Sequence, residues 1–104
     1  MVTHRRAEER SLALHRVVAE RVQSDPAVLE RARERVRGWR SGELVAPFYC
    51  DAWASLLGMP VDEVCAALVR DDEAMAALRQ VTPFAGALAA RERWAALAAL
   101  GREG

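Results

Sequence analysis

Residues 8–40 read EERSLALHRVVAERVQSDPAVLERARERVRGWR, and the spacing of their apolar positions decides the fold. Leu14, Val18 and Val22 recur every four residues, which is one stripe of a helix expected over about Glu8 to Ser24. Asp25-Pro26 follows as an N-cap side chain ahead of a proline, whose missing N–H costs nothing at a first helical position. Beyond it Leu29, Ala32, Val36 and Trp39 line one face of a second helix, expected to end at Ser41-Gly42. Each stripe needs an apolar partner, and helix on helix is the simplest way to supply one.

The same reading continues to the C-terminus. A third helix is expected from about Pro47 to Leu57, with Tyr49, Trp53 and Leu56 inward and Gly58 as a left-handed stop. Pro60 opens a fourth, where Asp62 and Glu63 complement the positive helix start and Val61, Val64, Cys65 and Leu68 form the apolar face. Asp71 is expected to cap a fifth helix carrying Met75 and Leu78, closed by Thr82-Pro83. After Phe84-Ala85-Gly86, a last helix from about Ala89 to Leu100 is expected to turn Trp94 and Leu97 inward and to end at Gly101. The expected fold is therefore all-α, a compact bundle of about five to six helices without a sheet. One domain is expected over residues 1–104, with 1–9 as a flexible N-terminal arm and 101–104 as a frayed C-terminus.

Composition agrees. The chain has 21 Ala, 11 Leu and 11 Val, with no Ile, Lys or Asn, and all 15 basic residues are Arg. Ala, Leu, Arg and Glu favour helix, and two Thr with six aromatics leave little material for strands. At 52% apolar and 29% charged, the sequence is neither a disordered polyelectrolyte nor a membrane protein. No apolar run nears the roughly 18–20 residues that span a bilayer, and no apolar signal region follows Met1, so a cytoplasmic location is expected. Charge balances overall but not locally: residues 1–43 hold 10 Arg against 7 acids, residues 44–104 hold 5 Arg against 8.

Chemistry-bearing residues are few. No Ser or Cys sits in a nucleophile motif, no glycine-rich phosphate loop is present, and no enzymatic activity is expected. Asp71-Asp72-Glu73 has the oxygen ligands of a hard-cation site, but an acidic trio opening a helix is accounted for by capping and the helix dipole. Cys50, Cys65, His4 and His15 are zinc-type ligands without the close pairing of a structural site, and both cysteines fall on apolar stripes. No metal or cofactor is expected. His15, beside Val18, reads as a partly buried packing residue.

Two surfaces remain. Trp53 to Leu68 has the outline of a helix-turn-helix, with Ala54, Gly58 and Val64 at the usual spacing, but the would-be recognition helix opens on Pro60, Val61, Asp62 and Glu63. Arg33, Arg37 and Arg40 share one face of the second helix, with Glu30 and Glu34 in reach for helix ion pairs. Phe84 lies between Pro83 and Gly86, either as a pre-shaped loop anchor for a partner or as a plug between the last two helices.

Arg10-Ser11-Leu12-Ala13-Leu14-His15-Arg16, Asp25-Pro26 and Arg37-Gly38-Trp39 resemble short helical bacterial antitoxin-like proteins of toxin–antitoxin-type gene pairs. So do residues 77–86, ALRQVTPFAG, and Arg91-Glu92-Arg93-Trp94, with Ala89-Ala90 where a Ser/Thr-Pro helix start would be expected. The resemblance spans most of residues 10–95 and is most specific at its two ends. It implies a non-enzymatic protein that binds and silences a toxin enzyme encoded beside it, of PIN-type or nucleotidyltransferase-type. The alternative is a small DNA-binding regulator acting on its own promoter through the degenerate helix-turn-helix and the basic N-terminal half. A second copy of the chain is also admitted as a partner. The expected partner-binding residues are Arg33, Arg37, Arg40 and Phe84.

Overall fold

The computed structural model describes the backbone of residues 2–103 and the side chains of residues 5–101. Six helices follow one another: α1 (Val2–Ser24), α2 (Pro26–Gly42), α3 (Pro47–Leu57), α4 (Val61–Leu68), α5 (Glu73–Arg79) and α6 (Ala90–Glu103). No strand occurs among the described residues. α1 is the spine and packs against α2, α4, α5 and α6, while α2 pairs with α3 and α3, α4 and α5 meet one another. The radius of gyration, 13.6 Å, is what a single domain of this length should have, about 13 Å.

Local chemistry sets most of the helix ends. Asp25 holds an extended backbone and accepts the Ala27 N–H at 3.1 Å, with Pro26 beginning α2. Asp72, one residue beyond the expected Asp71, accepts the Met75 N–H at 2.8 Å and caps α5. α6 opens with half a capping box: Glu92 accepts the Ala89 N–H at 3.1 Å, although Ala89 has no side chain to return the bond.

α2 ends at Gly42, as expected, and the left-handed residue beyond it is Glu43 (φ 53°), whose following residue Leu44 donates to the Trp39 carbonyl at 3.0 Å. Other ends differ from expectation. Gly58 is right-handed (φ −83°), because its N–H continues the helical ladder to Ala54 and Ser55. α5 stops at Arg79, short of Thr82-Pro83. The expected N-terminal arm is helical from Val2 onward, and α6 passes Gly101 to reach Glu103; Met1 and Gly104 lie outside the described residues.

The core collects the predicted stripes: Val18 and Val22 of α1, Leu29, Ala32 and Val36 of α2, Trp53 and Leu57 of α3, Val64 and Leu68 of α4, and Met75 of α5. Trp53 is fully buried, whereas Trp39 and Tyr49 are half-buried and Val61 is exposed. Trp94 is 75% exposed, against the inward position expected of it. The reason is geometric. α6 touches only α1, and Glu92 faces that helix through its ion pair with Arg21. Trp94, two residues on, lies about 200° around the helix from Glu92 and so points away.

Unfolding experiments should separate these tryptophans. Trp53→Ala is expected to cost about 3–5 kcal/mol, and Trp94→Ala to stay within about 0.5 kcal/mol of the parent, each measured by denaturant titration. Comparable losses for both would contradict the packing described.

Candidate functional site: an arginine face and a cationic groove

The three predicted arginines do come together. Arg33, Arg37 and Arg40 border a shallow depression of about 180 Å³ between α2 and α3, floored by Val36, Ala54, Leu57 and Gly58. Their availability differs. Arg33 donates through Nε to the Leu57 carbonyl at 2.9 Å, satisfying a helix-end acceptor, and through Nη1 to Glu30 at 2.6 Å. Arg40 pairs with Asp51 of α3 at 3.0 Å, in a solvent-exposed bridge. Arg37 makes no ion pair or hydrogen bond with a described residue. Arg33 is thus a fastener between α2 and α3, Arg40 is held at the surface by Asp51, and Arg37 is the charge presented without a described partner.

What the sequence reading missed lies at the start of α3. Phe48, on the same side of α3 as Asp51 three residues later, is 70% exposed, and Leu44 in the preceding loop is 74% exposed. Phe48 stands edge-on to Tyr49, with ring centroids 5.2 Å apart. A helix start after Pro47 was legible, but not that its first apolar residue would face water.

Phe84 faces inward, as a plug and not as an exposed anchor. It is 5% exposed and meets Trp53 and His15 edge-to-face, with centroids 6.1 and 6.4 Å away. The partner-anchor reading of Phe84 is therefore corrected: the residue closes the gap between α1 and α3. Its loop is tied down around it. Thr82 Oγ1 accepts the Phe84 N–H at 3.1 Å, Gly86 takes the left-handed φ of +82° that a turn needs, and Arg35 donates to the Ala85 carbonyl.

Behind this loop lies a concavity of about 450 Å³, bounded by α1, the 82–88 segment and α6. His15 sits in its wall, 4% exposed. Its Nδ1 lies 2.7 Å from the Ser11 carbonyl and its Nε2 2.9 Å from Thr82 Oγ1. A carbonyl only accepts, so Nδ1 carries the proton and neutral Nε2 accepts from the Thr82 hydroxyl. Burial pulls the His15 pKa down, the Ser11 carbonyl opposes this, and the nearby Arg79 charge lowers it further. Arg79 is also buried, at 3% exposure, and its Nη1 donates to the Leu68 and Arg70 carbonyls at 3.2 and 2.8 Å, closing the C-terminal end of α4. Arg10 of α1 and Arg93 of α6 complete the rim. The segments that carry the resemblance, residues 10–16, 77–86 and 91–94, thus converge on one groove.

Other sequence candidates separate. Cys50 and Cys65 are buried in different places, their thiols near the Val45 and Ala19 carbonyls, and burial, with the charge of Asp62, pushes the Cys65 thiol up. Among the described residues no three His, Cys, Asp or Glu side chains cluster as a metal site, and the His4 side chain lies outside them. Asp72 serves as a cap and pairs with Arg70; the Met75 N–H and Arg70 hold its carboxyl below the usual range. At the would-be recognition helix, Val64, Cys65 and Leu68 are buried, and Asp62 of the first turn accepts from Gln23 at 3.1 Å. No described helix is long and apolar enough to cross a membrane. Comparison with protein-family models, curated proteins and solved structures gives no match.

His15 makes stability pH-dependent. Its folded pKa lies below the unfolded 6.5, so its contribution is present above about pH 6.5 and is lost as pH falls from there to the lowered value. Chemical denaturation between pH 7.5 and 5 should show stability falling toward acid, and His15→Gln should flatten that slope. An unchanged slope in the variant would remove His15 as the cause.

Proposed function

We propose that the protein is a non-enzymatic binding module that grips another protein through the α2–α3 face. One observation carries this reading: Leu44 and Phe48, large and apolar, stand in water where the chain passes from α2 into α3, Phe48 one helical turn before Asp51, the partner of Arg40. A buried aromatic anchor with arginine at its edge is the usual composition of a binding hot spot. The arginines would steer an acidic surface toward the face, and Phe48 would be desolvated once contact is made. Through the resemblance, the partner is the toxin enzyme of an adjacent gene, and the chain acts as its antitoxin by covering the surface it needs. Supporting features are the fixed α2–α3 corner, held by Arg33 on Leu57 and Arg40 on Asp51, so little ordering is required on binding.

Co-expression with the adjacent reading frame tests the reading. The neighbour alone should slow growth, co-expression should restore it, and the two chains should co-purify in fixed ratio. Phe48→Ala should weaken the complex by about 2 kcal/mol without unfolding the chain. Arg37→Glu with Arg40→Glu should slow association and reduce its salt dependence. A complex indifferent to all three substitutions would place the interface elsewhere. Failure to form any complex, together with a salt-sensitive shift of promoter DNA, would favour the regulator instead.

A further inference from the structure

The groove between α1, the 82–88 segment and α6 is chemically unlike the α2–α3 face. Three arginines line it, the exposed Arg10 and Arg93 and the buried Arg79, whose Nη1 is turned to the end of α4, and no carboxylate is among its lining residues. Neither Arg10 nor Arg93 pairs with a described residue. Arg79 is buried, and its Nε has no acceptor at all. The charges of Asp71, Asp72 and Glu8 favour its charged form and burial opposes it, while Asp72 is already committed to Arg70 and to the cap of α5.

A buried cation without a contacting anion is costly, and two more cations facing the same space raise that cost. An anion lodged there would reverse the sign of all these terms. Guanidinium forks match the oxyanion edges of a phosphate, and three of them suit a dianion better than a single carboxylate. The volume, about 450 Å³, is far more than a bare phosphate fills and falls in the range of small-molecule sites. The remaining lining is mostly apolar, chiefly Leu14, Val18, Phe84, Leu88 and Leu97, with Ser11, His15 and Thr82 as its polar members. The apolar side chains offer contact to a hydrocarbon or aromatic body.

We propose that this groove binds a phosphate monoester of an apolar or aromatic alcohol, with the phosphate among Arg10, Arg79 and Arg93 and the organic body against Leu14, Phe84 and Leu97. The site is independent of the protein-binding face, which lies on α2 and α3.

Phenyl phosphate is the probe, with inorganic phosphate and phenol as its two halves, each titrated calorimetrically into the whole chain at low ionic strength. Phenyl phosphate is expected to bind at least tenfold more tightly than inorganic phosphate, and phenol not to bind. Arg10→Gln and Arg93→Gln, exposed and unpaired and so harmless to folding, should each weaken phenyl phosphate tenfold or more. Chemical shifts of the Arg79 side chain should move on saturation. No binding of phenyl phosphate at millimolar concentration would overturn the proposal. So would binding that survives the double variant, or inorganic phosphate binding as tightly as its phenyl ester.

Discussion

Phe84 packed edge-on between Trp53 and His15 is the contact on which the arrangement of the other parts depends. It joins three segments far apart in sequence, α1, α3 and the turn after α5, at one point of the core. Each aromatic pair adds about 0.5–1.5 kcal/mol beyond simple burial, but the positional effect is larger. With the ring fixed, the Phe84 N–H reaches Thr82 Oγ1, and Thr82 reaches His15 Nε2. The turn becomes a rigid wall, which Arg35 of α2 then fastens from outside through the Ala85 carbonyl. The cationic groove exists because that wall stands off from α1 and α6 instead of collapsing onto them.

Signals confined to a few neighbouring residues were the ones most legible in the sequence. Asp25-Pro26 specifies its cap through bonds that span three residues, and it occurs where expected. The α1 and α2 stripes were equally plain, because a four-residue repeat of Val and Leu admits one buried face. The misplacements share another cause. Whether Trp94 is buried depends on how many helices touch α6, and α6 has one neighbour where an inward Trp94 needed a second. Gly58 is right-handed where a left-handed stop was expected, because its N–H continues the helical ladder to Ala54 and Ser55. Phe84 allowed two readings in sequence, and only its contacts with Trp53 and His15 choose between them.

The candidate sites divide along the same line. Arg33, Arg37 and Arg40 lie on one helix, so their spacing alone placed them together. Spacing could not reveal that Arg33 is consumed by the Leu57 carbonyl, or that Phe48 stands exposed nearby. Arg10, Arg79 and Arg93 come from three separate segments, and no local pattern unites them. The excess of arginine in residues 1–43 is therefore a poor map of available charge. Arg21 is tied to Glu92, Arg33 to α3 and Arg40 to Asp51, so the charges left over are fewer and more sharply placed than the composition suggests.

His15 and Arg79 also limit the chemistry open to the groove. The imidazole gives Nδ1–H to Ser11 and takes the Thr82 hydroxyl at Nε2, so neither nitrogen offers a free lone pair to a bound molecule. A general base needs one within hydrogen-bond reach of its proton. Arg79 spends Nη1 on the two carbonyls at the end of α4, which anchors its guanidinium there. The groove shares no side chain with the α2–α3 depression, so the two surfaces are open independently of each other.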